Sequence, residues 1–139
     1  MGVAEEIKKT REAKVFLKFN DIWRESTKGL FVVQKICEKI KDVDKYHTKL
    51  EGDEEFRAVV SGLGQFYETL GVAVKAGFMD IHLVALTWAG ATRMYWENIM
   101  EPVIEDMRKM YNYPRIGSET EYVCRKLIRY MDEHPELKT

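Results

Sequence analysis

Between Phe56 and Met100 only six of 45 side chains carry charge, namely Arg57, Glu68, Lys75, Asp80, Arg93 and Glu97, whereas the other 94 positions hold 39 charges. A segment this apolar must be buried, and a short chain can bury it only by wrapping it in amphipathic flanks. It is too interrupted to cross a bilayer. Its longest uncharged run, Ile81 to Thr92, has twelve residues and includes His82 and Gly90, against the roughly 20 apolar residues a span needs. The 139 residues leave room for one domain, 1–139, and 45% apolar content excludes a disordered tail.

The hydrophobic period is helical nearly everywhere and no stretch alternates as a strand does. The sequence therefore predicts an all-α, single-domain bundle of five to six helices with an apolar central helix pair. Phe16, Phe19 and Trp23 form the stripe of a first helix from Val3 to about Trp23. Ser26 and Thr27 stand as N-caps of a second, striped by Val33, Ile36, Cys37, Ile40 and Val43, and Asp44 to Gly52 reads as a polar connector. Asp53 caps a long helix with the stripe Phe56, Val59, Val60, Leu63, Phe66, Tyr67, Leu70 and Val74, and Gly77 fits the left-handed residue after its end. Asp80 caps the next, whose apolar phase runs from Ile81 to Met107 across Pro102, so that the proline either kinks one helix or starts another. Ser118-Glu119-Thr120-Glu121 has the pattern of a capping box opening a last helix, and His134-Pro135 ends it.

Small residues on the central pair, Ser61, Gly64 and Gly71 on one side and Ala89, Gly90 and Ala91 on the other, predict close antiparallel packing of those two helices. Gly62-Leu63-Gly64 is not a nucleotide loop: Tyr67 stands where a third glycine is needed, and the segment lies within a helical pattern. The three histidines give no metal motif. Asp80 and His82 project about 200° apart on a helix, and neither an H-x-x-x-H nor a Glu-x-x-His is present. No metal or cofactor is expected. There is no G-x-S-x-G elbow, so catalytic residues are not assigned and an enzyme is the lesser expectation.

Net charge is -1, which gives no overall pull towards nucleic acid. The first 50 residues hold 12 Lys+Arg against 8 Asp+Glu, but acids and bases alternate as on a solvated helix face. The charged N-terminus lacks the apolar core of a signal peptide, and Cys37 and Cys124 belong to no C-x-x-C pair. Reduced core thiols and a cytoplasmic location are the expectation.

What remains is an aromatic and ionic constellation comprising Tyr67, Glu68, Arg93, Trp96 and Arg108. A carboxylate in an apolar helix costs several kcal/mol unless partnered. Glu68 is thus expected to form a structural pair with Arg93 or Arg108. The alternative is a pocket in which Glu68, Tyr67, Trp96 and an arginine bind a small polar ligand.

These same residues carry a family likeness. Phe66-Tyr67-Glu68, Leu70-Gly71-Val72-Ala73-Val74-Lys75, Gly77 and Met79-Asp80, followed by Tyr95-Trp96, Ile99, Pro102, Ile104 and Arg108, resemble the uncharacterised all-helical family catalogued as domain of unknown function 4760. The likeness is strongest over 56–130. It implies an all-α domain with a short turn at Gly77. Many members carry a membrane anchor upstream, for which these residues hold no counterpart, and the likeness supplies neither an activity nor a cofactor.

Two functions follow as expectations. The first is a helical interaction or scaffolding module that associates with itself or another protein, because seven Met, Trp23, Trp88, Trp96 and several Tyr exceed what a five-helix monomer is expected to bury. The second is a small-molecule-binding or enzymatic domain with a polar pocket near Glu68, Trp96 and Arg108.

Overall fold

A computed structural model describes residues 2–137. The chain forms α1 (Val3–Ser26), α2 (Leu30–Lys39), α3 (Val43–Gly52), α4 (Glu54–Lys75), α5 (Ile81–Met94), α6 (Glu101–Met110) and α7 (Ser118–Glu133), with a short 3-10 turn at Pro135–Leu137. No strand occurs among the described residues. A π-helical turn, Tyr95–Met100, joins α5 to α6 in one continuous rod, which makes six helices among the described residues of an all-α domain.

Helix α1 buries Phe19 and packs Phe16 and Trp23 against the core, as its stripe predicts. Thr27 does not open the second helix. Its hydroxyl and its amide both donate to the Trp23 carbonyl, at 2.7 and 3.0 Å, so it closes α1, and α2 begins at Leu30 without a side-chain cap. The expected connector from Asp44 to Gly52 is instead the helix α3. Asp42 nucleates it by accepting hydrogen bonds from the Asp44 and Lys45 amides at 2.8 and 3.3 Å. Tyr46 is its one fully buried ring, packed edge-on to Phe56 at 5.8 Å.

The caps of the central rods are as the sequence predicts. Asp53 accepts from the Phe56 amide at 3.0 Å and Asp80 from the His82 amide at 2.7 Å. Helix α4 ends with Gly77 at φ 80°, while Phe78 N–H reaches the Ala73 carbonyl at 2.9 Å and Gly77 N–H reaches Val74 at 3.2 Å. This double return satisfies carbonyls that the helix end would leave unpaired. Pro102 divides nothing. The Glu101 amide bonds to the Trp96 carbonyl five residues back, and that widened turn makes room for a ring that cannot donate and would clash with the preceding carbonyl.

Helices α4 and α5 supply the core, and α7 lies along both of them through Val123, Cys124, Leu127 and Met131. The two central rods meet mainly through large rings: Phe66 on Trp88 at 5.6 Å, and Tyr67 stacked on Tyr95 at 4.4 Å and 14°. The small residues do not serve the close packing expected of them. Of the glycines on these two helices, Gly62, Gly64 and Gly90 face open space, and Gly71 sits at a close approach against α7 rather than α5.

Candidate functional site

Three residues of α4 grip the first turn of α7. Glu68, Gly71 and Lys75 are spaced three and four residues apart and so share a helix face. Glu68 Oε1 accepts a hydrogen bond from the Thr120 amide at 2.9 Å. At Gly71, one turn on, an added Cβ would fall 2.3 Å from the Glu119 carbonyl oxygen. Lys75 Nζ then bridges to the Glu119 carboxylate at 2.8 Å. The expected partners of Glu68, Arg93 or Arg108, are engaged elsewhere, and its observed partner is a backbone amide that pair-counting by sequence does not reveal.

Arg108 holds the same turn from α6. Its Nε donates to the Ile116 carbonyl at 2.8 Å, Nη2 to Glu121 Oε1 at 2.8 Å and Nη1 to Glu105 Oε1 at 2.6 Å. Glu121 also accepts from Arg125 Nε at 2.9 Å. Burial pushes the Glu121 carboxyl up, but the hydrogen bonds and charges of Arg108 and Arg125 outweigh it and leave the group below its ordinary value. For Arg108 burial acts downward, and the bonds and charges of Glu121 and Glu105 carry it upward overall. Gly117, at φ 65°, precedes α7, and no side chain of that helix's own start caps it. The predicted capping box is absent because Ser118 lies within the helix as its first residue, and Glu68 delivers the cap from α4.

Glu68 and Arg108 therefore converge on residues 116–121 from two helices without bonding each other. The remaining predicted site residues lie apart from this clasp. Arg93 pairs with Asp132 at 2.9 Å and Glu97 at 3.4 Å, near the far end of α7. Trp96 is buried, with the Arg125 guanidinium 5.2 Å from its ring centre. Trp96 lines a surface cleft, about 290 Å³ in volume, with Glu97, Glu101, Arg125, Ile128, Arg129 and Asp132. Tyr67 is wholly buried, and its hydroxyl meets the Thr92 hydroxyl at 3.1 Å. Desolvation pushes the phenols of Tyr67 and Tyr95 far up, so both stay neutral. The Tyr46 and Tyr95 hydroxyls and the Trp88 indole N–H are buried without a protein partner.

Histidine–tyrosine pairs are a feature that sequence spacing does not reveal, because their members lie 48 and 64 residues apart. His82 Nδ1 meets the Tyr130 hydroxyl, and His134 stacks on that ring at 4.0 Å. His47 lies between the Tyr111 hydroxyl and Glu51, the latter at 3.0 Å. Among the described residues no group of three or more His, Cys, Asp or Glu is placed to hold a metal ion. Burial pushes the Cys37 thiol up to about 11 and Cys124 still higher, which favours the protonated thiol at neutral pH. No helix among the described residues is long and apolar enough to cross a membrane.

A family model described as "Domain of unknown function (DUF4760)" matches residues 5–127, from the first turn of α1 to the middle of α7. No curated protein and no solved structure matches the chain.

Proposed function

The chain belongs to this family of domains of unknown function, and we propose that it acts as a helical protein-interaction module that associates with itself. The carrying observation is that α1 is two-faced. One face delivers Phe16, Phe19 and Trp23 to the core, while Val3, Ile7 and Leu17 on the other are 74%, 61% and 61% exposed. Exposed apolar side chains on the side of α1 turned away from Phe16, Phe19 and Trp23 offer a docking surface.

The reason for self-association differs from the one the composition supplies. Trp88 and Trp96 are each 1% exposed, so the aromatic hub is consumed within one chain. Exposed apolar side chains lie instead on α1, on α2 at Phe31 and Val32, and at scattered positions such as Val72, Phe78 and Leu86. The ligand-binding alternative draws on Trp96, which lines a cleft, whereas Glu68 and Arg108 direct their bonds to α7. The free, buried thiols of Cys37 and Cys124 fit a reducing compartment, and the cytoplasm is the proposed location. Sedimentation equilibrium of the full chain tests the reading. A concentration-dependent dimer in the micromolar range is expected, and a monomer throughout that range overturns self-association.

A further inference from the structure

We propose that the self-association surface is the outer face of α1, two copies packing antiparallel about a two-fold axis through Thr10. This rests on the self-association proposed above and specifies its geometry. At 100° per residue, Val3, Glu6, Ile7, Thr10, Ala13, Lys14 and Leu17 fall on one side of α1, opposite the Phe16, Phe19 and Trp23 face. All seven are exposed, and the helix is exposed from its start through Arg11. A shallow channel of about 450 Å³ runs between side chains on this side, lined by Val3, Glu6, Ile7, Thr10, Arg11 and Lys14.

The stripe is self-complementary about Thr10. Seven residues to either side stand Val3 and Leu17, four residues to either side Glu6 and Lys14, and three residues to either side Ile7 and Ala13. An antiparallel two-fold places each member of such a pair against the other member in the second copy. Apolar then meets apolar, and Glu6 meets Lys14 of the second copy twice. A parallel pairing would set Glu6 against Glu6 and Lys14 against Lys14. Identical patches related by a two-fold are the commonest homodimer interface. The core packs on the Phe16, Phe19 and Trp23 side of α1, and Val3 to Arg11 are exposed, so the stripe is open to a second copy. The contact spans only about 21 Å of helix, small for a stable interface, so the dimer is expected to dissociate on dilution.

The test uses the full chain. Ile7→Asp should raise the dimer dissociation constant about tenfold or more with helicity unchanged, since the side chain touches no core residue in the monomer. Glu6→Lys should weaken the dimer, and Glu6→Lys combined with Lys14→Glu should restore it. Oxidised Thr10→Cys should form a disulfide-linked dimer, because helix axes 8–10 Å apart bring facing Cα atoms within bridging range, while Lys9→Cys should not. A wild-type dimer indifferent to Ile7→Asp, or abolished by Phe31→Asp instead, overturns the α1 assignment and leaves self-association standing. A double charge reversal no better than the single one overturns the antiparallel register. A monomeric wild type overturns both the register and the reading beneath it.

Discussion

The carboxylate of Glu68 stands 2.9 Å from the amide of Thr120, so the last long helix of this domain is capped from α4, 52 residues back in sequence. The first amides of any helix lack internal partners, and the positive end of its dipole favours an anion there. A carboxylate reaching across from a packed neighbour serves both needs and fixes the angle at which α7 docks. Removing that cap with Glu68→Ala should cost about 1–2 kcal/mol. Glu68→Gln keeps an acceptor oxygen and loses only the charge, so it should cost less, about 0.3–1 kcal/mol. Denaturant unfolding of the two variants checks both the sign and the ranking.

Gly71 and Gly64, two of the three glycines of α4, carry opposite expectations. A methyl group at Gly71 would lie 2.3 Å from the Glu119 carbonyl oxygen, which is backbone and cannot rotate away, whereas at Gly64 nothing lies within 4 Å. Gly71→Ala should therefore destabilise by about 1–3 kcal/mol through forced separation of α4 and α7. Gly64→Ala should stabilise by about 0.5–1 kcal/mol, because alanine loses less backbone freedom on entering a helix. Thermal unfolding of both reads the contrast directly.

The Glu121 carboxyl is held below its ordinary value in the folded chain despite the opposing effect of burial, because Arg108 and Arg125 bond its charged form. A carboxyl depressed on folding contributes stability that is present in full above its unfolded value and is lost as pH falls through its folded value. Stability should thus decline as the solution is acidified below about pH 4.5. Glu121→Gln should lose that share at neutral pH and show a shallower acid decline, as measured by unfolding free energies from pH 7 to pH 3.

Two stacked tyrosines separate a partnered hydroxyl from an orphaned one. Tyr67 bonds Thr92 at 3.1 Å, while the Tyr95 hydroxyl is buried without a protein partner. Tyr95→Phe should be neutral or stabilising, since an unsatisfied buried hydroxyl carries a desolvation cost of about 1–3 kcal/mol. Tyr67→Phe strands the Thr92 hydroxyl, which is itself buried, and should destabilise by about 1 kcal/mol or more. Equal losses in the two variants would refute the distinction.

Long amphipathic helices and their caps were legible because each is encoded locally. Asp53, Gly77 and Asp80 act within a few residues of where they stand. What sequence alone conceals is whatever depends on distant neighbours. Helix α3 shows one buried ring in ten residues, too little for a period to declare itself. The Glu68 cap and the Gly71 contact depend on where α7 docks, and nothing in the 66–80 segment states that. Glu68 and Arg108 stood out in the sequence on a general ground. A charge in an apolar rod must have a partner, and both find theirs on the same turn of α7 rather than in each other. The π-helical turn before Pro102 was hidden for a different reason: Tyr95, Ile99 and Val103 recur every four residues, a spacing that an α-helix also allows.

Hydrogen exchange at the Thr120 amide in wild type and Glu68→Ala tests most directly the claim that the ionic constellation is a clasp on α7. The account predicts an amide protected in the wild type whose protection falls selectively in the variant, by more than that of the Leu127 amide deeper in the same helix. Equal protection of Thr120 in both proteins would contradict it.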